Sequence, residues 1–175
     1  MRESIGGAWL VSIVVLFIVL FSGYLAVSIN YTKAFKVKNY IINVIEQNEG
    51  FTKYKDQDKI DNADIKTLEA DKTAQGYITA YLKSTGYYTT ESADSMKKRC
   101  NSTSDDLDVL NNTNSYYDGG YCIKKICTSM GTYYKVTTFI KFQVPIIQTS
   151  ILIDINGETK PIFFDNSEVP CYNES

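Results

Sequence analysis

Residues 8–29 read AWLVSIVVLFIVLFSGYLAVSI, and no charged residue occurs between Glu3 and Lys33. A bilayer core is filled by roughly 20 apolar residues in a helix, because each residue rises about 1.5 Å. In hydrocarbon every backbone polar group must find its partner within the segment, so a single span of this composition is a helix. A cleaved secretory signal is the rival. Its apolar core runs about 7–15 residues and ends at a small-x-small site. The run here is longer, and Gly23-Tyr24-Leu25-Ala26 matches such a site poorly. A retained anchor is therefore expected.

The helical pattern continues outward. In TKAFKVKNYIINVIEQNEG (residues 32–50), Ala34, Val37, Ile41, Val44 and Ile45 form one stripe, with Phe35 and Ile42 at its flank. No Pro or Gly interrupts residues 27–47. The spacing predicts one helix over about residues 5–49, roughly 65 Å long. Gly50 is the expected terminator, since a left-handed C′ residue carries no side-chain penalty in glycine. Inside the span, Ser12, Leu16, Val19, Gly23, Ala26 and Asn30 recur at helical spacing. Small residues let another helix approach closely in a membrane, so Gly23, Ala26 and Asn30 are the candidate helix-packing residues. An ordinary lipid-facing surface remains the equal alternative.

The 175 residues carry a net charge of −2, no His, four Cys and fourteen Tyr. The near-zero charge argues against nucleic acid as a partner. Absence of His removes the commonest general base and zinc ligand. No acid–base constellation or cofactor motif is legible, and a non-enzymatic protein is expected. All four cysteines, Cys100, Cys122, Cys127 and Cys171, follow the span, in a region rich in Tyr, Thr, Asn and Ser. That is how a small exported disulfide domain reads. The division is then a short tail (1–7), a transmembrane helix (8–30), its extracellular continuation (31–50) and a disulfide-stapled α+β domain (51–175). The cysteines place the N-terminus in the cytoplasm. Lys33, Lys36 and Lys38 against Arg2 argue the reverse by the positive-inside rule.

Beyond Gly50 the chain is polar, with a short helix expected after Asp61 that turns Ile65 and Leu68 inward. A second helix is expected at 71–85, capped by Asp71, with Ala74, Ile78, Tyr81 and Leu82 on one face and Gly86 at its end. Gly76 weakens it by about 1 kcal/mol relative to Ala. Residues 87–118 read as a polar loop. Its acidic SDDLD (104–108) lacks the glycine and distal Glu of an EF-hand, so a solvated loop is the better reading. Strands begin near Gly119. Tyr134, Val136, Thr138, Ile140, Phe142 and Val144 alternate with Lys135, Thr137, Lys141 and Gln143, predicting one apolar and one polar face. Ile151, Ile153 and Ile155 alternate next, Asn156-Gly157 signals a type I′ turn, and GETKPIFF returns as an edge strand containing Pro161. The expected fold is α+β, a long N-terminal helix packed on a small antiparallel meander of about four strands.

Cys122 and Cys127 are an odd number of residues apart and face opposite sides of a regular strand, unless Lys124-Lys125 form a bulge. Cys100–Cys122 and Cys127–Cys171 are the favoured bridges, each adding about 2–4 kcal/mol. Zinc is disfavoured by C-x4-C spacing without His.

The tail with Arg2, Gly6 and Gly7, the apolar helix running into an amphipathic one, and the strand VTTFIKFQVPII (136–147) together resemble type IV pilin-like subunits, most closely TadE/TadG-type pseudopilins of tight-adherence pili. The acidic residue Glu3 stands ahead of the glycines here, a departure from prepilin processing sites. The resemblance implies a non-enzymatic part in an extracellular pilus or secretion apparatus. Its partners would be membrane lipid, other pilin-like subunits and assembly-platform proteins, with homo- or hetero-oligomers forming through the N-terminal helix. Lys33, Lys36 and Lys38 near the membrane and Glu46 and Glu49 at the far end could match between staggered neighbours. An alternative from a different class is a bitopic anchor displaying a small extracellular binding module, with Tyr87, Tyr88, Tyr116, Tyr117 and Tyr133 as the recognition patch.

Overall fold

The computed structural model describes residues 2–55, 59–60, 62–87, 115–118, 120–128, 131–143 and 150–163, and side chains for residues 7–55, 59–60, 62–87, 120–126, 131–140 and 153–163. Three helices, α1 (Arg2–Gln47), α2 (Ile65–Ala70) and α3 (Ala74–Thr85), precede four strands, β1 (Ser115–Asp118), β2 (Tyr121–Thr128), β3 (Gly131–Gln143) and β4 (Ser150–Glu158). The architecture is α+β. One antiparallel sheet of order β1-β2-β3-β4 lies against the C-terminal half of α1, and α3 packs beside it.

α1 is a single helix of 46 residues. It passes Thr32 unbroken, and the Thr32 hydroxyl donates back to the Ser28 carbonyl at 2.9 Å. The expected stripe is the core. Ala34, Val37, Ile41, Val44 and Ile45 are buried, and they cluster with Ala74, Ile78 and Leu82 of α3 and with Tyr121, Ile123, Val136, Ile140 and Ile155 of the sheet. Burying one such aliphatic side chain contributes about 1.5–3 kcal/mol, so this stripe accounts for much of what holds helix and sheet together.

The helix ends differently from expectation. Glu49, at φ 53°, is the left-handed residue, and Gly50 follows it at φ 149°. The Gly50 amide donates to Ile45 and the Glu49 amide to Glu46, a Schellman pair in which Gly50 is C″ rather than C′. The reason for a glycine at 50 is room. An added Cβ would meet the Tyr134 hydroxyl at 3.1 Å.

α3 begins at Ala74, and its cap is Thr73, whose side chain accepts from the Gly76 amide; Asp71 instead closes α2 and accepts from the Thr73 hydroxyl. Gly86 ends α3 in the left-handed conformation, as expected. Gly76 is a close-approach site, since a Cβ there would lie 2.4 Å from the Leu68 carbonyl oxygen. Leu68 turns inward, but Ile65 is 39% exposed because α2 is too short to bury two faces.

The sheet departs from expectation in three ways. A strand, β1, pairs Ser115–Asp118 with β2 inside the segment read as loop. β4 runs straight through Asn156 and Gly157, which pair with Thr137 and Val136, so no hairpin forms there. Tertiary packing overrides the turn signal: a Cβ at 157 would stand 2.9 Å from both the Lys38 Cδ and the Ile42 Cδ1, so glycine serves helix–sheet contact. In place of a full return strand, among the described residues Ile162 bridges to Thr132, just past Pro161. Thirdly, the sheet face away from α1 is also covered over much of β2 and β3, although Asn156 and Glu158 of β4 on that side are exposed. Cys122, Lys124, Ile126, Thr137 and Phe139, on the side away from α1, are as buried as Ile123 and Val136. Phe139 and Ile126 interrupt the polar alternation on that side, and they make it a second apolar surface.

Candidate functional site: the exposed half of α1

Residues 7–22 of α1 are exposed throughout. This half of the helix is long and apolar enough to cross a membrane. Its polar side chains are satisfied locally: Ser12 donates to the Ala8 carbonyl at 3.0 Å and Ser22 to that of Ile18 at 2.8 Å. Such back-bonding leaves no hydroxyl needing water. Trp9 stands at one end of the run, and Tyr24 and Tyr31 stand at the other, all largely exposed. Amphipathic rings so placed suit the two interfaces of a bilayer.

Of the candidate helix-packing residues, Ala26 is exposed, while Gly23 and Asn30 are half-buried. Val27, which small-residue spacing did not single out, is half-buried too. Gly23, Val27, Asn30 and Ala34 follow one another by four, three and four residues, so the half-buried positions lie on the same side of the helix as Ala34. The signal that could have found Val27 is its place one two-turn step before Ala34. Nothing lies within 4 Å of an ideal Cβ at Gly23, so that position is open to a close neighbour.

The charges flanking this region are used within the chain. The Lys33 amine donates to the Gly86 carbonyl at 3.1 Å. Lys38 is only 8% exposed, its amine 4.3 Å from the centroid of the Phe35 ring. Glu46 accepts from the Lys160 amide at 2.8 Å. Of the five residues suited to charge matching between neighbours, Lys36 and Glu49 are the two left exposed.

The tyrosine patch is corrected at its first member. Tyr87 is buried, and its hydroxyl donates to the Phe139 carbonyl. Burial pushes its pKa well above the usual tyrosine value, against the opposing effect of its hydrogen bonds to Thr138 and Phe139. Tyr133 is half-buried; Tyr88 lies outside the described residues, and the side chains of Tyr116 and Tyr117 do as well. A different aromatic pair binds α1 to α3: Tyr40 and Tyr81 stack at 3.8 Å between centroids, and burial, followed by the charge of Glu69, raises the Tyr40 pKa.

Cys122 is buried and disulfide-bonded. β2 pairs with β3 in unbroken register from Tyr121 to Thr128, without the bulge that would let positions 122 and 127 share a face. Cys100, Cys171 and the side chain of Cys127 lie outside the described residues, as does the acidic stretch 104–108. Among the described residues no group of three or more Cys, Asp or Glu is gathered to hold a metal ion.

No family model, curated protein or solved structure matches this chain.

Proposed function

We propose that this protein is a non-enzymatic, single-pass membrane subunit of pilin-like type that takes part in an extracellular pilus or secretion apparatus. The observation that carries this reading is α1, one unbroken helix that is bare and apolar over one half and the spine of a packed α+β domain over the other. A rod of this kind transmits position from the bilayer to the domain, which suits side-by-side assembly. The open face at Gly23 supplies a place for a second helix, either a copy of this chain or another pilin-like subunit or platform protein. The N-terminus lies in the cytoplasm and the domain outside, with Cys122 bridged to Cys100 and Cys127 to Cys171, as suits an oxidising compartment.

A cysteine introduced at Gly23 tests the assembly. Its side chain fits without a clash. Bifunctional maleimide treatment of membranes should trap a homo- or hetero-oligomer. A cross-linking yield at Gly23 no higher than that of a cysteine at exposed Leu16 would contradict the reading.

A further inference from the structure

α1 and α3 meet ring to ring. Tyr40 and Tyr81 stack with centroids 3.8 Å apart and planes 15° from parallel. Aromatic pairs usually settle with centroids about 4.5–7 Å apart and avoid full overlap, because their negative faces repel. Phe17 and Phe21, on adjacent turns of α1, stand at 6.3 Å. The tyrosine pair is held closer than ring attraction alone requires, and the packing around it is the cause. Ile41 of α1 is buried in one cluster with Ile78 and Leu82 of α3. Lys33 of α1 holds the end of α3 at the Gly86 carbonyl. Residue 33 thus meets 86 and residue 40 meets 81, so the helices pass antiparallel and fix the distance between the rings.

Overlap of this kind has a chemical use. A tyrosine that loses one electron and its phenolic proton becomes a phenoxyl radical. Its unpaired density lies on the oxygen and on the ring carbons, chiefly those ortho and para to it. The para carbon carries the side chain, so two facing radicals combine through ortho carbons. Tyr40 and Tyr81 are both half-buried, open to an oxidant yet held by their neighbours. The proton has a receiver nearby, since the negative charge of Glu69 on α2 bears on the Tyr40 hydroxyl. Tyr54, Tyr87, Tyr121 and Tyr134 are buried and shielded from such an oxidant.

We propose that Tyr40 and Tyr81 form an oxidative cross-linking site, at which a peroxide-driven one-electron oxidant joins the two rings into a dityrosine staple between α1 and α3. Each phenol gives up one hydrogen atom, as a proton and an electron. One carbon–carbon bond forms between the ortho carbons. The hydrogens on those carbons then move to the phenoxyl oxygens and restore both phenols. Two hydrogen atoms leave in all, and they reduce one peroxide to two waters. The half-exposed rings have room to twist about the new bond. Reductants that open disulfides leave this bond intact, so α3 stays on the helix when the bridges are reduced. The inference rests on the exported domain proposed above as the place where such an oxidant acts.

The test treats the purified full-length protein, in detergent micelles, with hydrogen peroxide and a haem peroxidase. The expected product is a monomer with dityrosine fluorescence, in which tryptic peptides 39–53 and 73–83 are joined with the loss of two hydrogen atoms. Fragmentation should place the link at Tyr40 and Tyr81. Tyr40→Phe and Tyr81→Phe keep a ring in the stack, and each should lower the yield at least about ten-fold, because groups held in contact couple far faster than groups that meet by diffusion. Tyr77→Phe, one turn away on α3, should leave the yield unchanged. A link through Tyr77 in place of Tyr81, or fluorescence confined to dimers and larger species, would overturn the inference. So would the absence of a joined peptide under conditions that couple free tyrosine. Each of these results leaves the membrane-subunit reading standing, since cross-linking at Gly23 tests that separately. The wild-type peptide map decides by itself if a variant fails to fold.

Discussion

The Thr138 hydroxyl donates to the Ala34 carbonyl at 3.3 Å, joining the middle of the sheet to the helix turn at which the domain begins. Above this point every stripe residue of α1 is buried, and below it the helix is half-covered and then bare. The bond marks the lower limit of the packed core. It is also a side chain's claim on a helical carbonyl, so it ties the sheet to the backbone of α1 rather than to a mobile side chain.

Truncation of the stripe should be costly in proportion to burial. Ile41→Ala and Ile45→Ala, both fully buried, should each lower stability by about 2–5 kcal/mol through lost contact and a residual cavity. Asn39→Ala, on the exposed side of the same helix, should change it by less than about 0.5 kcal/mol. Denaturant unfolding of the three variants checks this.

The two close-approach glycines should differ. At Gly76 a methyl group meets a backbone oxygen at 2.4 Å, which cannot yield without separating α2 from α3. Gly76→Ala should destabilise by about 1–3 kcal/mol despite the better helix propensity of alanine. At Gly157 the obstacles are the ends of Lys38 and Ile42, which can move, so Gly157→Ala should cost less than Gly76→Ala. Thermal unfolding of the pair decides the order.

Glu49 sits at a positive φ that a side chain disfavours. Glu49→Gly should stabilise the domain by up to about 1 kcal/mol, because only glycine takes this conformation freely. A rise in the unfolding midpoint is the expected outcome; an unchanged or lower midpoint would count against the Schellman geometry at the end of α1.

Alkaline pH should weaken the fold through Tyr87. Its folded-state pKa is raised by burial, so its contribution to stability is complete below the unfolded value near 10 and is lost as pH rises above that value. Tyr40, raised in the same direction, adds to the slope. Tyr87→Phe should lower stability at pH 7 by about 1 kcal/mol, for the lost hydrogen bond to Phe139, and should flatten the decline between about pH 10 and 11. Unfolding curves of both proteins across that range measure it.

The long helix, its stripe and the existence of a meander were legible because periodicity records burial, and Ala34, Val37, Ile41 and Ile45 leave no ambiguity about the side that packs. The strand boundaries were not legible, for a reason visible at Asn156-Gly157. A local turn signal and a tertiary need for a missing side chain use the same residue, and only the position of Lys38 and Ile42 separates them. Gly76 carries the same double meaning. Tyr87 reads as a surface tyrosine because nothing local announces that its hydroxyl meets the carbonyl of Phe139. The second buried face was hidden by Lys124 and Thr137, polar residues that suggest solvent but are covered. At the candidate site, the small-residue rule reads only which side chains leave room for a second helix; it does not register the half-burial of Val27, which lies between Gly23 and Asn30 on the same side of α1.

The central claim is that α1 is one rod carrying its domain at a fixed distance from its apolar half. Spin labels at Leu16 and Asn39, both exposed and 23 residues apart on α1, measure this directly in the full-length protein reconstituted in vesicles. A continuous helix predicts a narrow distance distribution near 35 Å, from a rise of about 1.5 Å per residue. A broad distribution, or one centred well below that distance, would mean that the rod bends near Thr32 and would contradict the account.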